Sequence, residues 1–281
     1  MQLNSNIMVS DSSNSNSFIP LNYTIAGRDD GFGAQYQALM SGIAYSKFKN
    51  YNYIHTPLYI VGASAKSSGH GASATELNDF IGIPNYPSKC NIDITEVHSE
   101  YVHSSNNPSK YYTDSIITLL RNYYYSTSKP VIGNIDIAIH IRRGDVILEM
   151  LEARYTSLSY YNKIIKFLNY KYPLYNIVIF SEGNIKDFNK LNGKNISFKL
   201  NKSITETFHS LVSAKILVMA KSSFSYSAAI LNSNEIYYIN FWHKPLKQWK
   251  IINKELIGVE YDKAEAAIEL KAAFASYYSL S

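Results

Sequence analysis

The sequence contains a single cysteine, Cys90, among its 281 residues. One cysteine cannot form a disulfide within the chain, and it cannot supply a cysteine-based metal site. The sequence also has no clear Asp-x-Asp pair of the kind that clamps a metal ion. We therefore expect a protein without internal disulfides, without a resident metal and without a cofactor.

Long apolar runs are missing as well. No segment approaches the ~18 consecutive apolar residues that a membrane-spanning helix needs. The first 17 residues, "MQLNSNIMVSDSSNSNS", are polar and lack the basic start and the apolar core of a signal peptide. These absences predict a flexible tail over residues 1–17, no membrane span, and a soluble cytoplasmic protein.

Charged residues are sparse. They make up 17% of the chain, the formal net charge is +5, and no basic run occurs. Nucleic-acid-binding domains usually carry a strong basic patch, so we expect no nucleic-acid partner. A mild positive balance suits a small anionic ligand instead. With 46% hydrophobic residues, the chain can bury the core of one large α/β domain or of two smaller lobes.

The hydrophobic pattern alternates between strands and helices. It predicts a strand at Tyr23–Ala26, a helix from about Ala34 to Phe48 and a strand at Tyr53–His55, which together form a unit of a parallel sheet. Five further strands are predicted at "IDIAIHI", "NIVIFSEG", "NISFKL", "KILVMA" and "EIYYIN", with helical patterns between them. This alternation predicts a doubly wound nucleotide-binding unit. Turn residues around Gly133 predict a boundary between a lobe over residues 18–134 and a lobe over residues 135–281.

Two arginines end a core strand in "NIDIAIHIRRGDV", residues 134–146. Ligands of doubly wound sheets bind outside the carboxyl ends of the strands, so these cations lie where an anion would bind. Alternation along the strand puts Arg142 and Arg143 on opposite faces. One arginine can fork onto a phosphate while an internal acid such as Asp145 holds the other. The alternative interpretations are an exposed turn with two solvated arginines and an Arg-Gly-Asp adhesion site.

Two further segments offer backbone N–H groups to an anion. Ser222 and Ser223 follow the strand "KILVMA" and begin a helix, whose first N–H groups can cradle a phosphate. The two glycines of "DDGFGAQYQ", residues 29–37, open the first helix and could also bind a phosphate. Ordinary N-capping of the one helix and an ordinary turn before the other are the plainer interpretations.

Together the three segments resemble a known family. The stretch "HIRRGD" from His140 to Asp145 is similar to the H-x-R-R-x-D signature of the α1,2- and α1,6-fucosyltransferases. The stretch "SSFSYSAAILN" resembles the Ser-Ser/Thr-Phe-Ser segment of the bacterial-type α1,2 enzymes. The stretch "DGFGAQYQALMSGIAY" resembles the Gly-Phe/Tyr-Gly-x-Gln segment of the α1,6 enzymes. The similarity covers residues 29–56 and 135–242 and follows the family's order along the chain.

The resemblance implies an α/β protein of GT-B type with two Rossmann-like lobes. It implies metal-independent, inverting transfer of fucose from GDP-fucose to a hydroxyl of a glycan. Arg142 would bind the β-phosphate and stabilise the leaving diphosphate, with Arg143 in support and His140 near the nucleoside. The donor contacts that it implies are Gly31, Phe32, Gly33, Gln35, His140, Arg142, Arg143, Asp145, Glu206, Thr207, Ser222, Ser223 and Phe224. Such a catalytic lobe without a membrane stem suits a microbial or viral enzyme.

Two departures from the family pattern keep alternatives open. The family recognises guanine and commonly has an acid at one position before the serine motif. In this sequence that position is Thr207, with Glu206 beside it. Either Glu206 substitutes for that acid, or the donor carries another base. The α1,6 enzymes have a glutamate after the arginine motif that can act as a base, and here both Glu149 and Glu152 are near that place. The alternatives are therefore a different nucleotide sugar, or a nucleotide- or glycan-binding protein that has lost its base.

The acceptor and the linkage are not predicted. We expect acceptor contacts from residues 57–134 in the N-terminal lobe, which carry no motif. Within them, a loop of small and polar residues over 61–75 could close over a ligand as a lid. The stretch "SKYYTDSIITLLRNYYYS" predicts a helix in the same region.

Overall fold

The computed structural model describes residues 21–25, 29–59, 72–84, 96–98, 106–144, 146 and 151–278. The predicted tail, Asp145, Glu149 and most of the predicted lid lie outside these residues. The end of the lid segment is described, and there the loop prediction is wrong. A helix begins at Ala74, because the Ser73 side chain accepts a hydrogen bond from the N–H of Glu76 while Glu76 accepts one from the N–H of Ser73.

The first sheet has three parallel strands in the order β2-β1-β3. They are β1 Asn22–Ile25, β2 Asn52–Tyr53 and β3 Glu96–His98. Helix α1, Phe32–Lys49, connects β1 to β2 and ends where Asn50 adopts a left-handed conformation with φ 57°. This confirms the predicted strand–helix–strand unit. The strand β3 was missed, because three residues without clear alternation give no periodic signal.

The second sheet has six parallel strands in the order β6-β5-β4-β7-β8-β9. Its strands are β4 Ile137–His140, β5 Ile177–Ser181, β6 Ile196–Leu200, β7 Ile216–Val218, β8 Glu235–Tyr238 and β9 Lys250–Ile251. Counted along the chain, this is the 3-2-1-4-5-6 order of a dinucleotide-binding Rossmann sheet. The five predicted strands are confirmed, and the predicted α/β architecture is observed, with two parallel sheets.

Helices alternate with the strands along the chain. They are α2 Ala74–Ile81, α3 Pro108–Tyr111, α4 Asp114–Tyr125, α5 Leu151–Arg154, α6 Leu158–Lys171, α7 Ile204–Ser213, α8 Ser223–Leu231, α9 Lys254–Ile257 and α10 Lys263–Tyr278. The single helix predicted over residues 109–126 is two helices, α3 and α4. The break lies at Tyr112, whose φ of −87° and ψ of 69° are not helical.

An aromatic cluster joins the two sheets through α1, α7 and α8. The rings of Phe32 and Phe208 meet edge to face at 5.4 Å, and those of Phe208 and Phe224 do so at 5.3 Å. Phe80 packs edge-on against Phe208 at 5.9 Å. Such aromatic pairs add to the free energy gained from burial. One continuous hydrophobic core therefore includes residues from both sides of position 134, and the lobe boundary stays a prediction.

A charged network at the start of β8 predicts a dependence of stability on pH. Burial alone would raise the pKa of Glu235, but hydrogen bonds from Lys250 and Tyr172 outweigh burial and lower the pKa from 4.5 to about 2. A carboxylate with a lowered pKa stabilises the fold above its unfolded pKa, and this contribution is lost as the pH falls toward 2.

Replacing Glu235 by glutamine should therefore lower the free energy of unfolding by about 1 kcal/mol at pH 7, a figure that allows for solvent screening of a partly exposed group. The difference from the wild type should shrink as the pH falls below 4.5. Urea unfolding between pH 7 and pH 3 measures it. A difference that stays constant over this range would contradict the stated role of the network.

Candidate functional site

The two motifs of the second sheet meet where the strand order reverses. Strands β4 and β7 are neighbours, with Ile139 opposite Val218, and their connections leave toward opposite sides of the sheet. Ligands of open α/β sheets bind at this switch point, outside the carboxyl ends of the strands. His140 ends β4, and the serine pair begins a helix soon after β7. The topology therefore brings the predicted arginine and serine segments to one crevice.

Arg143 is held by the protein. Its guanidinium donates hydrogen bonds to the carbonyl oxygens of Arg142 at 2.8 Å and Thr156 at 3.1 Å. It also lies 4.2 Å from the ring centre of Tyr155, a cation–π contact, and 4.0 Å from a carboxylate oxygen of Glu269. The sequence predicted that one of the two arginines is held by an internal acid. The structure shows that this arginine is Arg143. The anchoring carboxylate that the structure shows is Glu269, while Asp145 lies outside the described residues.

The turn after the arginines needs glycine. Gly144 has φ +70°, a conformation that side chains disfavour. A Cβ atom at this position would also lie 1.9 Å from a carboxylate oxygen of Glu182. Beneath the turn, the Ser181 hydroxyl donates to the carbonyl oxygen of Ile141 at 2.7 Å. The neighbouring strand β5 thereby supports the loop that carries Arg142.

The serine pair lies at the start of helix α8 and is buried: Ser222 is the N-cap and Ser223 the first helical residue. The Ser222 hydroxyl accepts a hydrogen bond from the N–H of Phe224, which is ordinary N-capping. The Ser223 hydroxyl lies 3.1 Å from Nε2 of the fully buried His243. Trp242 donates its indole N–H to the same nitrogen at 2.8 Å, so Nε2 is unprotonated. The buried imidazole thus orients Ser223 at the start of α8.

Asn232, the last residue of the segment "SSFSYSAAILN", has a structural role. Asn232 donates its side-chain amide to the carbonyl oxygens of Leu211 and Ala214, both at 2.9 Å, at the end of α7. Arg121, on α4, donates to the carbonyl oxygens of Leu231 and Asn232. These bonds satisfy the terminal carbonyl groups of two helices. They hold α8, and with it the serine pair, against the first half of the chain.

Helix α1 begins directly against α8. A Cβ atom on Gly33 would lie 2.4 Å from the Cα atom of Phe224, so the two backbones touch. Ser227 strengthens the contact by donating its hydroxyl to the carbonyl oxygen of Gly33 at 3.3 Å. Gly31 is the N-cap of α1 and provides no side-chain cap. The first turns of two helices, whose N–H groups favour anions, therefore lie side by side.

The other members of the glycine segment are buried. Gln35 donates its amide to the carbonyl oxygen of Asp30 at 2.5 Å and so closes the turn before α1. Phe32 is 3% exposed and lies within the aromatic cluster.

The ring of Phe224 packs at 5.5 Å from the imidazole of His140. Phe224 therefore contacts both the glycine segment and the strand that precedes the arginines, so the three predicted segments lie together.

The position expected to read the donor base lies on the first turn of α7. Glu206 and Thr207 are both partly buried there. Glu206 accepts an ion-pair contact from Lys199 of β6 at 3.5 Å. The donor-base roles of Glu206 and Thr207 stay predictions, because an ion pair with Lys199 selects no particular base.

The predicted general base is not located. Glu149 lies outside the described residues, and Glu152 lies on α5, where its side chain is not described. Two other acids, Asp29 and Asp30, lie beside the glycine segment and precede α1; Asp29 is exposed and Asp30 partly buried. The assignment of the base to Glu149 or Glu152 therefore remains a prediction.

Sequence reasoning missed four residues beside the arginines. Tyr155 and Glu269 contact Arg143, and Lys221, which is 5% exposed, lies 4.2 Å from the ring centre of Tyr261. Tyr261 in turn donates its hydroxyl to the carbonyl oxygen of Tyr155 at 3.0 Å. Lys221 directly precedes the serine pair, which was a usable signal. Glu269 had none, because it comes from a distant alanine-rich helix.

The described ranges contain neither a cluster of metal-binding side chains nor a membrane-spanning helix. No three histidine, cysteine or acidic side chains lie close enough together there to hold a metal ion. None of the helices in those ranges combines the length and the apolar character required to cross a bilayer.

Comparison with protein families gives one match. Residues 113–257, which are just over half of the chain and include both motifs of the second sheet, match Glycosyl transferase family 11. No curated protein sequence matches the chain significantly.

Several solved structures are similar in shape. The E. coli heptosyltransferase WaaC with ADP-2-deoxy-2-fluoro heptose has a TM-score of 0.42 and 10% identity, over 92% of this chain and 100% of that chain. A mutant of Arabidopsis thaliana FUT1 in complex with GDP has a TM-score of 0.42 and 11% identity, over 82% and 74%. The α-1,6-fucosyltransferase NodZ of Bradyrhizobium, co-crystallized with GDP, has a TM-score of 0.38 and 10% identity, over 76% and 93%. Likenesses this distant do not bear on donor or acceptor.

Proposed function

The chain belongs to glycosyl transferase family 11 and is a glycosyltransferase, and we propose that it transfers fucose from GDP-fucose to a hydroxyl of a glycan. The family match confirms the resemblance based on the arginine and serine motifs. The donor and the inverting, metal-independent course of the reaction are our proposal. The observation that supports it best is the convergence of Arg142, the start of α8 and the start of α1 at the switch point of the second sheet.

The proposed chemistry explains why cations and helix starts are needed. As the acceptor oxygen bonds to the anomeric carbon of the sugar, the bond from that carbon to the donor phosphate breaks. Negative charge then builds up on the departing diphosphate. Arg142 and the first N–H groups of α8 stabilise this charge electrostatically, and preorganised groups of this kind contribute several kcal/mol to catalysis. The acceptor proton passes to a carboxylate, for which Glu149 and Glu152 are the predicted candidates.

The donor is tested by thermal stabilisation of the purified protein with GDP, UDP, ADP and their sugar conjugates. A ligand at a hundred times its dissociation constant adds about 2.7 kcal/mol to the free energy of unfolding. We expect the largest shift with GDP and GDP-fucose, in the presence of EDTA as well as of Mg²⁺. Release of GDP from GDP-fucose on addition of glycan acceptors then measures transfer.

The other outcomes are informative. Stabilisation by UDP or ADP alone would mean that the donor carries uracil or adenine and not guanine. That outcome would agree with Thr207 at the position where the family has an acid. Stabilisation by GDP without transfer to any glycan would favour a binding protein that has lost its base. No stabilisation by any of these nucleotides would contradict the proposal.

A further inference from the structure

We propose that Glu269, on helix α10, is a positioning residue that holds Arg143 and, through it, the backbone of Arg142 at the donor diphosphate. This inference rests on the proposed function, because it requires that Arg142 binds a phosphate. Helix α10, Lys263–Tyr278, lies beyond the residues that match the family, 113–257. The chain thus completes its arginine site with a helix that the family match does not include.

One carboxylate oxygen of Glu269, Oε1, contacts three groups. It accepts a hydrogen bond from the Tyr155 hydroxyl at 2.6 Å and another from the N–H of Leu158 at 2.8 Å. It lies 4.0 Å from the guanidinium of Arg143. The Glu269 side chain is only 11% exposed and that of Arg143 only 16%, so solvent screens this charge pair weakly.

Arg143 passes this restraint to Arg142. Its guanidinium lies over the Tyr155 ring and donates to the carbonyl oxygens of Thr156 and Arg142. The side chain thereby bridges the loop after β4 to the segment before α6. Because the Arg142 carbonyl is one end of this bridge, the position of Arg143 determines where the Arg142 backbone lies.

The charge of Glu269 has a second consequence for the cleft. Two guanidinium groups on neighbouring residues repel each other, and both would be attracted to a bound diphosphate. The carboxylate draws Arg143 away from the phosphate position by neutralising it internally. Arg142 then meets the diphosphate in a single orientation, which is what electrostatic stabilisation of a leaving group requires.

A purely structural role for Glu269 is the competing explanation. Its hydrogen bond to the N–H of Leu158 caps the start of α6, and a carboxylate at a helix N-terminus is stabilising by itself. The two roles differ in what they do to nucleotide recognition. A positioning role affects the contact with the β-phosphate, which GDP has and GMP lacks. A structural role affects both nucleotides alike, or neither.

The test compares Glu269→Gln with Glu265→Gln, which removes the same charge one turn earlier on α10. The affinities of GDP and GMP are measured by calorimetry, and kcat and KM are measured for GDP-fucose. For Glu269→Gln we expect GDP affinity to fall about tenfold, since a charge-assisted contact to the β-phosphate is misplaced, while GMP affinity is retained. We expect kcat to fall more than KM rises, and Glu265→Gln to match the wild type.

Each other outcome decides between the explanations. Equal losses for GDP and GMP, or a lower Tm with unchanged GDP affinity and kcat, would overturn the positioning role and leave the proposed function intact. A wild-type protein that binds neither GDP nor another nucleoside diphosphate would overturn both. If ADP or UDP proves to be the nucleotide, the comparison is made with AMP or UMP.

A second variant tests the same positioning role without removing the carboxylate of Glu269. Tyr155→Phe keeps the ring beneath Arg143 and removes only the hydroxyl that donates to Glu269. If Glu269→Gln does not fold, this variant decides. A selective loss of GDP over GMP affinity supports the positioning role, and unchanged affinities for both nucleotides would overturn it.

Discussion

Replacing Arg142 by lysine should lower kcat for the proposed fucose transfer about a hundredfold to a thousandfold, the range found when one transition-state donor is removed. Lysine keeps the positive charge but loses the planar fork that binds two phosphate oxygens at once. The residue follows the central strand β4 at the switch point, so in the proposed mechanism the loss falls on the leaving diphosphate. Steady-state kinetics with GDP-fucose at saturation measures the effect. The proposed transition-state role also requires that KM change much less than kcat.

Two controls separate this effect from loss of structure. Lys194→Ala removes an exposed cation of the same lobe and should leave kcat unchanged. Arg143→Lys should lower Tm as well as kcat, because the Arg143 guanidinium bridges two backbone carbonyl groups. If Arg142→Lys retained more than a tenth of the wild-type kcat in a folded protein, the leaving-group role of Arg142 would be wrong.

Replacing Gly33 by alanine should lower the free energy of unfolding by about 3 kcal/mol, the upper part of the range for overpacked sites. The added methyl group would lie 2.4 Å from the Cα atom and 2.5 Å from the nitrogen of Phe224. Both atoms belong to backbone, which cannot rotate away as a side chain can. Helices α1 and α8 must therefore separate, and Tm should fall by roughly 6–10 °C.

Gly133→Ala is the matched control for this prediction. No atom lies within 4 Å of a Cβ at Gly133, so the substitution should be neutral or slightly stabilising. Calorimetry of both variants at one pH gives the comparison. Because α1 and α8 form adjacent walls of the site, Gly33→Ala should also weaken nucleotide binding at temperatures where it is folded. An unchanged Tm would show that the close backbone contact is not rigid.

Most of the second sheet could be predicted from sequence. Buried parallel strands are short continuous runs of β-branched and apolar residues, and "IDIAIHI" and "KILVMA" have this form. The helix α7 was among the predicted helical patterns, because apolar residues recur there at helical spacing, and the structure shows Ser203 as its N-cap. The strand β9 and the helix α2 were not predicted. Two residues carry no periodicity, and α2 begins inside a stretch whose small residues favour a loop.

The candidate site was predicted unevenly. Arg142, Ser222 and Ser223 were selected as candidates because charged and hydroxyl residues directly after buried strands are informative in a parallel sheet. The predicted contribution of Phe32 as a donor contact stays untested, and its side chain lies in the aromatic cluster. Which acid holds Arg143 could not be read from its neighbours in sequence. Asp145 is two residues away, whereas Glu269 is brought to the site only by the packing of α10.

The sequence by itself determined the class of sheet, most of the order of strands and helices, and which segments are candidates for binding an anion. These follow from local periodicity and from residue types at strand ends, which neighbouring residues alone specify. Only the tertiary structure decided that Gly33 is a packing glycine against Phe224, that Arg143 is the anchored arginine, and that Glu269 anchors it. Each of these depends on a contact between distant parts of the chain. The sequence could not show them, because close backbone contacts and charge pairs between distant residues form only when helices and sheets pack.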